Sequence, residues 1–307
     1  MEIKEDIPLK PFTVFRVGGP ARFFVEAGSK EEIIASLKWA REKKVPYFIL
    51  GLGSNILVSD KGFPGLVIKI SGGNMSRDGD LITIDAGAKM AEVVNFSLQN
   101  GLVGFEWAIG VPGTIGGSVR GNAGCFGFMM QDAVQEVGAY DVIQDRTFLL
   151  GKSACKFSYR TSIFKEHPEW VVLGAALKLK PGDSQKGQEL VREYTQRRVF
   201  TQDIGESSAG SVFKNVAPFE GAKLPPGVKA AGSGPADFIA VSSLIEAAGL
   251  KSLKIGGVMV SEKHANFIIN TGEASAEDIV MLIGLIKERI HRKFGIQLEE
   301  EIQYVGF

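Results

Sequence analysis

The chain has 307 residues, 45% hydrophobic and 23% charged, which is enough apolar material for a buried core and excludes disorder as its main state. Lys plus Arg and Asp plus Glu each number 35, so the net charge is zero and no global field draws the chain to nucleic acid or anionic lipid. At roughly 100–200 residues per domain, this length predicts two or three domains.

The N-terminus, MEIKEDIPLKPF, has no apolar core segment and does not read as a signal peptide. Ser29 followed by Glu32 predicts a capping box, and Ile33, Ile34, Leu37 and Ala40 then form one helix face ending near Lys44. Tyr47–Leu50 predicts a strand running into Gly51-Leu52-Gly53-Ser54-Asn55. Ile56–Val58 and Leu66–Ile70 predict further strands, with turns at Lys61-Gly62 and Pro64-Gly65. Leu81–Ala86 alternates as a strand, and a helix is expected over Met90–Asn100, closed by Gly101.

The segment 110–127, GVPGTIGGSVRGNAGCFG, holds seven glycines in eighteen residues and predicts neither an ordinary helix nor a strand. Glycine is the compositional outlier: 38 residues, about 12% against a usual ~7%. Its clusters flank strand-like runs, which points to backbone that bends sharply or approaches a ligand closely. Cys125 and Cys155 are the only cysteines, with no C-x-x-C, which fits a reducing cytosol and argues against a disulfide scaffold or a structural zinc site.

Val134–Val142 and Trp170–Leu179 predict strands, Pro181–Gln188 a boundary, and a helix follows to about Val199. Near the C-terminus Ser275 caps a helix with Asp278 at its third position and Ile279, Leu282, Ile283, Ile286 and Ile290 as its apolar stripe. His291, Arg292 and Lys293 lie in its last turn and Gly295 ends it. A strand Ile296–Val305 is expected to close the chain. Uncharged apolar runs such as Ile279–Ile286 fall far short of the ~18 residues a membrane span needs, so the expectation is a cytoplasmic protein without membrane attachment. Strands and helices interleave without a regular βαβ beat, which predicts an α+β fold.

Two glycine loops bear on function. Gly51–Asn55 follows a strand as phosphate-binding loops do, but it lacks the Lys-Ser/Thr of a nucleotide P-loop and the third Gly of a dinucleotide fingerprint. It reads equally as a diphosphate cradle or a tight turn. In 110–127, Pro112 stiffens the backbone, Gly113, Gly116 and Gly117 let it approach a large planar or phosphorylated ligand, and Asn122 can donate and accept at once.

Several runs together resemble the UDP-N-acetylenolpyruvoylglucosamine reductase family. They are PFTVFRVGGPARFFVEAGSKEE, FILGLGSNILVSDKGFPGLVIKI, GFEWAIGVPGTIGGSVRGNAGCFG, CKFSYRTSIFK, SAGSVFKN, IGGVMVSEKHANFIIN and LEEEIQYVG, in family order over nearly the whole chain. The length is similar to the shorter of the family's two subtypes. The resemblance implies a two-subdomain FAD-binding unit of the vanillyl-alcohol-oxidase type over residues 1–183, divided near 71, and a substrate-binding domain over 184–307. It implies NADPH as reductant, UDP-N-acetylglucosamine enolpyruvate as substrate, a place in bacterial cell-wall synthesis, and neither nucleic-acid nor membrane partners; a monomer is expected.

Carried over residue by residue, Gly51, Gly53, Ser54 and Asn55 would cradle the FAD pyrophosphate. Gly110, Pro112, Gly113, Thr114, Gly116, Gly117, Asn122, Ala123 and Gly124 would line the cofactor further along, and Arg16 and Gly18 belong to the opening motif of the same domain. Arg160 in SYRTS matches the charge-stabilising arginine, Ser211 in AGSVFKN the proton donor, and Glu301 the C-terminal glutamate that would help polarise the substrate carboxylate if protonated. Tyr159, Arg197, Arg198, Lys214, Asn215 and His264 fall where the substrate is bound. On residue type alone, Arg160 reads as a surface ion-pair partner, Ser211 as a turn residue and Glu299–Glu301 as a solvated charge run. A strand alternation in which Leu298, Glu300, Ile302 and Tyr304 share one face would leave Glu301 on the other.

The chain departs from the family pattern at Val216 and Glu300, where Pro is common, at Cys125, and in the long Gly/Pro-rich segment 221–238. Two other readings remain: another FAD-linked oxidase or dehydrogenase on the same cofactor fold, and a sugar-nucleotide sensor without catalysis.

Overall fold

The computed structural model describes residues 1–217, 227–229, 231 and 238–307; most of the Gly/Pro-rich segment 221–238 lies outside these residues. The chain divides into two compact units, each discontinuous in sequence. The first comprises Met1–Glu5, Phe23–Leu52 and Pro64–Arg198; the second comprises Asp6–Arg22, Gly53–Phe63 and Val199–Phe307. Helices and strands are mixed throughout, an α+β fold as the sequence predicts.

In the first unit a five-stranded antiparallel sheet runs in the order Arg146–Gly151, Val134–Asp141, Trp170–Lys178, Leu81–Asp85, Met75–Asp78. Tyr47–Leu50 pairs in parallel with Phe63–Ile70, Tyr47 opposite Leu66. Helices Lys30–Lys43 and Met90–Gln99 bury Ile33, Leu37 and Ala40, and Val93, Val94 and Leu98, in one core with Ile68, Ile82, Ile84, Val137 and Leu177.

The second unit has its own core. Helix Ala276–Phe294 buries the expected stripe of Ile279, Leu282, Ile283, Ile286 and Ile290 against Leu244, Val258, Val260 and Leu298. At its start the Ser275 hydroxyl accepts from the Asp278 N–H at 3.0 Å while the Asp278 carboxylate accepts from the Ser275 N–H at 3.0 Å, a complete capping box. Gly295, at φ 68°, closes it. Strands Lys254–Ile255, Val258–Val260 and Ile268–Asn270 form an antiparallel sheet, and Gln303–Val305 pairs in parallel with Ile56–Val58.

Four local expectations are corrected. The Ser29 cap is half a box: its hydroxyl accepts from the Glu32 N–H at 3.2 Å, but the Glu32 carboxylate accepts from the Gly28 N–H instead, at 2.7 Å. Pro64 and Gly65 do not turn the chain but lie inside the strand Phe63–Ile70, where Gly65 permits close approach to the Pro46 carbonyl.

The glycine-rich segment does contain a helix, Ile115–Gly121. Thr114 caps it, Asn122 ends it in the left-handed conformation, and burial of Ile115, Ser118 and Val119 overrides the poor helix propensity of its glycines. The terminal strand is only Gln303–Val305, because the residues before it pair elsewhere: Lys214 N–H bonds the Glu299 carbonyl at 2.9 Å and Glu301 N–H bonds the Val212 carbonyl at 2.7 Å. The expected alternation through Tyr304 therefore fails; Leu298 and Ile302 are buried, whereas Tyr304 is exposed.

Candidate active site

In the first unit, Tyr159 and Arg160 occupy a two-residue turn whose flanking residues, Ser158 and Thr161, exchange backbone hydrogen bonds of 3.1 and 3.2 Å. Arg160 has φ 56°, a left-handed conformation that residues with a Cβ adopt rarely and that clusters at functional sites. Its guanidinium Nη1 donates to the Gly124 carbonyl at 3.1 Å and its charge lies 5.4 Å from the Tyr159 ring centroid. The glycine-rich segment thus supports the turn: Asn122 Nδ2 donates to the Ser158 carbonyl at 2.8 Å, and Ser162 Oγ to the Arg120 carbonyl at 2.8 Å.

Asn122, expected to face a ligand, is wholly buried, and its amide also exchanges two bonds with Gln131. Thr114 is buried, with its hydroxyl turned to the Gly117 N–H. Gly51 packs so that a Cβ would lie 2.8 Å from Thr114 Oγ1. Gly110 is exposed and leaves room for Arg198, whose Cδ would stand 2.8 Å from a Cβ there; Pro112 is exposed, while Gly113, Ala123 and Gly124 are half-buried.

Arg198 is buried with Nη2 3.0 Å from the Cys125 sulfur, and Arg197 is exposed over the Phe126 ring at 5.0 Å. Burial pushes the Cys125 thiol up, partly offset by Arg198, so a small packed thiol is the form present.

In the second unit, residues 211–214 form an extended segment held on both sides. Ser211 bridges Phe267, and Val212 N–H bonds the Asn266 carbonyl at 2.9 Å; opposite, Phe213 bridges Glu300 and Glu301 N–H bonds the Val212 carbonyl. Ser211 is half-buried and its hydroxyl has no hydrogen-bond partner among the described residues. Lys214 ion-pairs with Glu299. Asn215 Oδ1 accepts from the Val241 N–H at 3.2 Å, at the first residue of helix Val241–Ala247.

Asn55 fixes the Glu301 strand from the other side, with Nδ2 donating to the Glu301 carbonyl at 3.2 Å and its carbonyl accepting from Gln303 at 3.0 Å. Gly53, at φ 63°, is a glycine by necessity: a Cβ would fall 2.1 Å from the Phe12 carbonyl oxygen. Ser54 beside it is half-buried. Arg16 shares the left-handed conformation at φ 54°, and a Cβ on Gly18 would meet Val58 at 2.7 Å. His264 stacks obliquely on Phe267 at 4.4 Å; burial lowers its pKa, and Nδ1 has no partner among the described residues.

The structure therefore brings Ser211, Lys214, Asn215, His264 and Glu301 together in the second unit and places Tyr159, Arg160, Arg197 and Arg198 in the first. Three residues escaped the sequence reading. Asn266 Oδ1 accepts from the Phe213 N–H at 3.0 Å and its Nδ2 donates to the Phe213 carbonyl at 2.8 Å. Asn270 Nδ2 donates to the Phe15 carbonyl at 2.8 Å, and Lys165 Nζ donates to the Arg160 carbonyl at 2.7 Å. All three lie inside runs that stood out for other members, SEKHANFIIN and SYRTSIFK, so proximity to Ser211 and Arg160 in those motifs was the available signal.

A model of the UDP-N-acetylenolpyruvoylglucosamine reductase C-terminal domain matches residues 202–305, and an FAD binding domain model matches residues 21–143. The UDP-N-acetylenolpyruvoylglucosamine reductase of Caldanaerobacter subterraneus is 41% identical over 300 residues, covering 97% of this chain and 92% of its own. This chain belongs to the UDP-N-acetylenolpyruvoylglucosamine reductase family.

The reductase of Caldicellulosiruptor bescii is 39% identical, over 100% of this chain and 91% of its own. The crystal structure of the Thermus caldophilus reductase superposes with a TM-score of 0.76 at 30% identity, covering 99% of this chain and 98% of that one. A member of the reductase family is an oxidoreductase, and the family implies FAD as its cofactor and NADPH as its reductant.

The residues present fit a large flat group along the reductase's glycine-rich helix. Among the described residues a Cβ on Gly117 would meet only Thr114 Oγ1, at 3.7 Å, and one on Gly121 nothing within 4 Å, so those residues do not account for either glycine. Nearby in sequence, Trp107 Nε1 is buried without a partner among the described residues. No helix among those residues is long and apolar enough to cross a membrane.

Proposed function

We propose that the protein reduces UDP-N-acetylglucosamine enolpyruvate to UDP-N-acetylmuramate with NADPH, through FAD, in the cytoplasmic synthesis of peptidoglycan precursors. Residues 1–183 hold the cofactor and 184–307 the sugar nucleotide. Gly51, Gly53, Ser54 and Asn55 are assigned to the pyrophosphate. Gly110, Pro112, Gly113, Thr114, Gly116, Gly117, Ala123 and Gly124 line the rest of the cofactor, Asn122 acting through the backbone it braces.

Held by these residues, FAD would supply hydride-transfer chemistry between NADPH and the enolpyruvyl methylene carbon. The chain's own residues manage the charge that this leaves. Arg160 holds the substrate carboxylate through two parallel N–H groups and spreads the charge developing on the adjacent carbon. Glu301, if protonated, would help polarise the same carboxylate. Ser211 Oγ gives its proton to the carboxylate-bearing carbon, and Lys214 stabilises the oxygen left behind or its hydrogen-bonded water. Arg197, Lys214, Asn215, His264 and Tyr159 form the substrate's polar surroundings; Arg198, buried against Cys125, acts by holding the glycine-rich segment.

The observation that carries this reading is the flanked segment 211–214, in which the half-buried Ser211 hydroxyl has no partner among the described residues while Glu301 is bonded through its backbone to the next residue, Val212. The test is Ser211→Ala, studied by half-reactions. The variant is expected to be yellow, to be bleached by NADPH at the wild-type rate, and to be reoxidised by the enolpyruvyl substrate at least ~10²-fold more slowly under anaerobic conditions. Reoxidation at the wild-type rate would return Ser211 to a turn residue.

A further inference from the structure

Arg160 occupies a strained conformation, and the bonds that keep it there identify a second residue. A left-handed turn residue escapes by rotating one of its two flanking peptide planes. The plane that enters the two-residue turn is anchored one residue earlier, where the Ser158 carbonyl is held by the wholly buried Asn122 amide at 2.8 Å. The carbonyl of Arg160 itself is held by the Lys165 ammonium at 2.7 Å. Lys165 stands on the short helix Ile163–Glu166, whose Ile163 and Phe164 are buried, so the stem of its side chain starts from fixed backbone. The bond is charge-assisted, roughly twice as strong as a neutral one, and it fixes the peptide plane that follows Arg160, whose rotation would change that residue's ψ and carry it out of the left-handed region. With the backbone so fixed, the Arg160 guanidinium is aimed at the Gly124 carbonyl, 3.1 Å away.

We propose that Lys165 is a positioning residue for Arg160: its ammonium holds the Arg160 carbonyl, keeps that residue left-handed and thereby presents the guanidinium in register for a substrate carboxylate. This inference rests on the reading of Arg160 as the group that stabilises carboxylate charge. Lys165 acts through the backbone and not on the substrate, so its effect exists only while an arginine stands at 160. A misplacement of about 1 Å in a charge-stabilising group costs up to ~10²-fold in rate.

The holoenzyme variants Lys165→Met, Lys165→Arg, Arg160→Met and the double variant Lys165→Met/Arg160→Met test this by stopped-flow half-reactions. Lys165→Met is expected to retain a wild-type flavin spectrum and NADPH reduction within about 2-fold, with reoxidation by the enolpyruvyl substrate slowed about 10- to 100-fold. Lys165→Arg, which keeps a cationic donor, restores reoxidation to within about 5-fold. Arg160→Met slows reoxidation further, and adding Lys165→Met to it changes the rate by less than about 2-fold. Equal losses from Lys165→Met with and without Arg160 would overturn the proposal, since Lys165 would then act on its own. Wild-type reoxidation in Lys165→Met would overturn it as well. Wild-type reoxidation in Arg160→Met would instead remove the role of Arg160 itself, and the proposal with it. Should Lys165→Met not fold, Lys165→Gln, which keeps a neutral donor on a shorter stem, enters the same cycle with the same outcomes.

Discussion

Asn266→Ala should destabilise the second unit by about 2–4 kcal/mol. The side chain is 4% exposed and braces one residue at both of its backbone groups, accepting from the Phe213 N–H at 3.0 Å and donating to the Phe213 carbonyl at 2.8 Å. Phe213 is itself 1% exposed, so water does not readily replace either bond. Each backbone group left buried and unpaired costs about 1–3 kcal/mol, and partial relaxation of the loop brings the pair to that sum. The neighbouring bond from Val212 N–H runs to the Asn266 backbone carbonyl and survives, so the effect isolates the amide.

Asn266→Asp sharpens the test. It keeps the acceptor for the Phe213 N–H but opposes the Phe213 carbonyl with a carboxylate unless the carboxyl is protonated. Burial raises the folded-state pKa above the unfolded value of ~3.9, so the folded state binds more protons and stability falls as pH rises through that interval. Relative to wild type, Asn266→Asp should therefore lose more at pH 8 than at pH 5. Urea unfolding provides the measurement: Trp39, Trp107 and Trp170 all lie in the first unit, so tryptophan emission follows that unit while far-UV circular dichroism follows both. A loss below about 0.5 kcal/mol in Asn266→Ala would refute the brace.

Three further outcomes are expected. Gly117→Val should purify without flavin yet with unchanged apoprotein stability, because a Cβ there meets only Thr114 Oγ1 at 3.7 Å; full flavin occupancy would remove the helix Ile115–Gly121 from the cofactor site. Lys214→Ala should raise KM for the enolpyruvyl substrate about 10- to 150-fold, or ~1.5–3 kcal/mol, with flavin reduction by NADPH untouched, and an unchanged KM would make Lys214 only the partner of Glu299. Asp278→Ala should cost about 1–2 kcal/mol at pH 7 in thermal or urea melts. Hydrogen bonds from the Ser275 and Gly257 N–H groups hold the Asp278 carboxyl below its ordinary range, so this stability is present above ~3.9 and lost as pH falls; the penalty should shrink toward pH 3.

Periodic helices with caps were legible from sequence because their determinants are local: the Ser275 cap with Asp278 at the third position, the apolar stripe and Gly295 all stand as read. Segment 110–127 misled because helix propensity is a weak prior there; packing of Ile115 and Val119 decides the outcome. The terminal strand was read too long because residues 299–301 pair with 212–214, a partnership across almost ninety positions that no local pattern encodes. Motif matching named Ser211 and Glu301, and they do fall in one unit. It offered no reason to separate Asn266 from its neighbours, since a bracing amide differs from a surface one only in what it meets.

The pairing of Gln303–Val305 with Ile56–Val58 has a consequence for biosynthesis. Residues 6–22 and 53–63 leave the ribosome early but belong to a unit whose core comes mostly from residues after 199. Phe15, Val17 and Leu57 therefore emerge without most of their packing partners and wait until residues 209–302 have been translated. The first unit's residues are all available once residue 198 has emerged, so it can fold vectorially. The second closes loops of some 250 residues, which makes its assembly the slower step and the one at which chaperones have most to protect. Removing the last five residues would withdraw the closing strand altogether, and a nascent chain stalled before it should expose the early segments to protease.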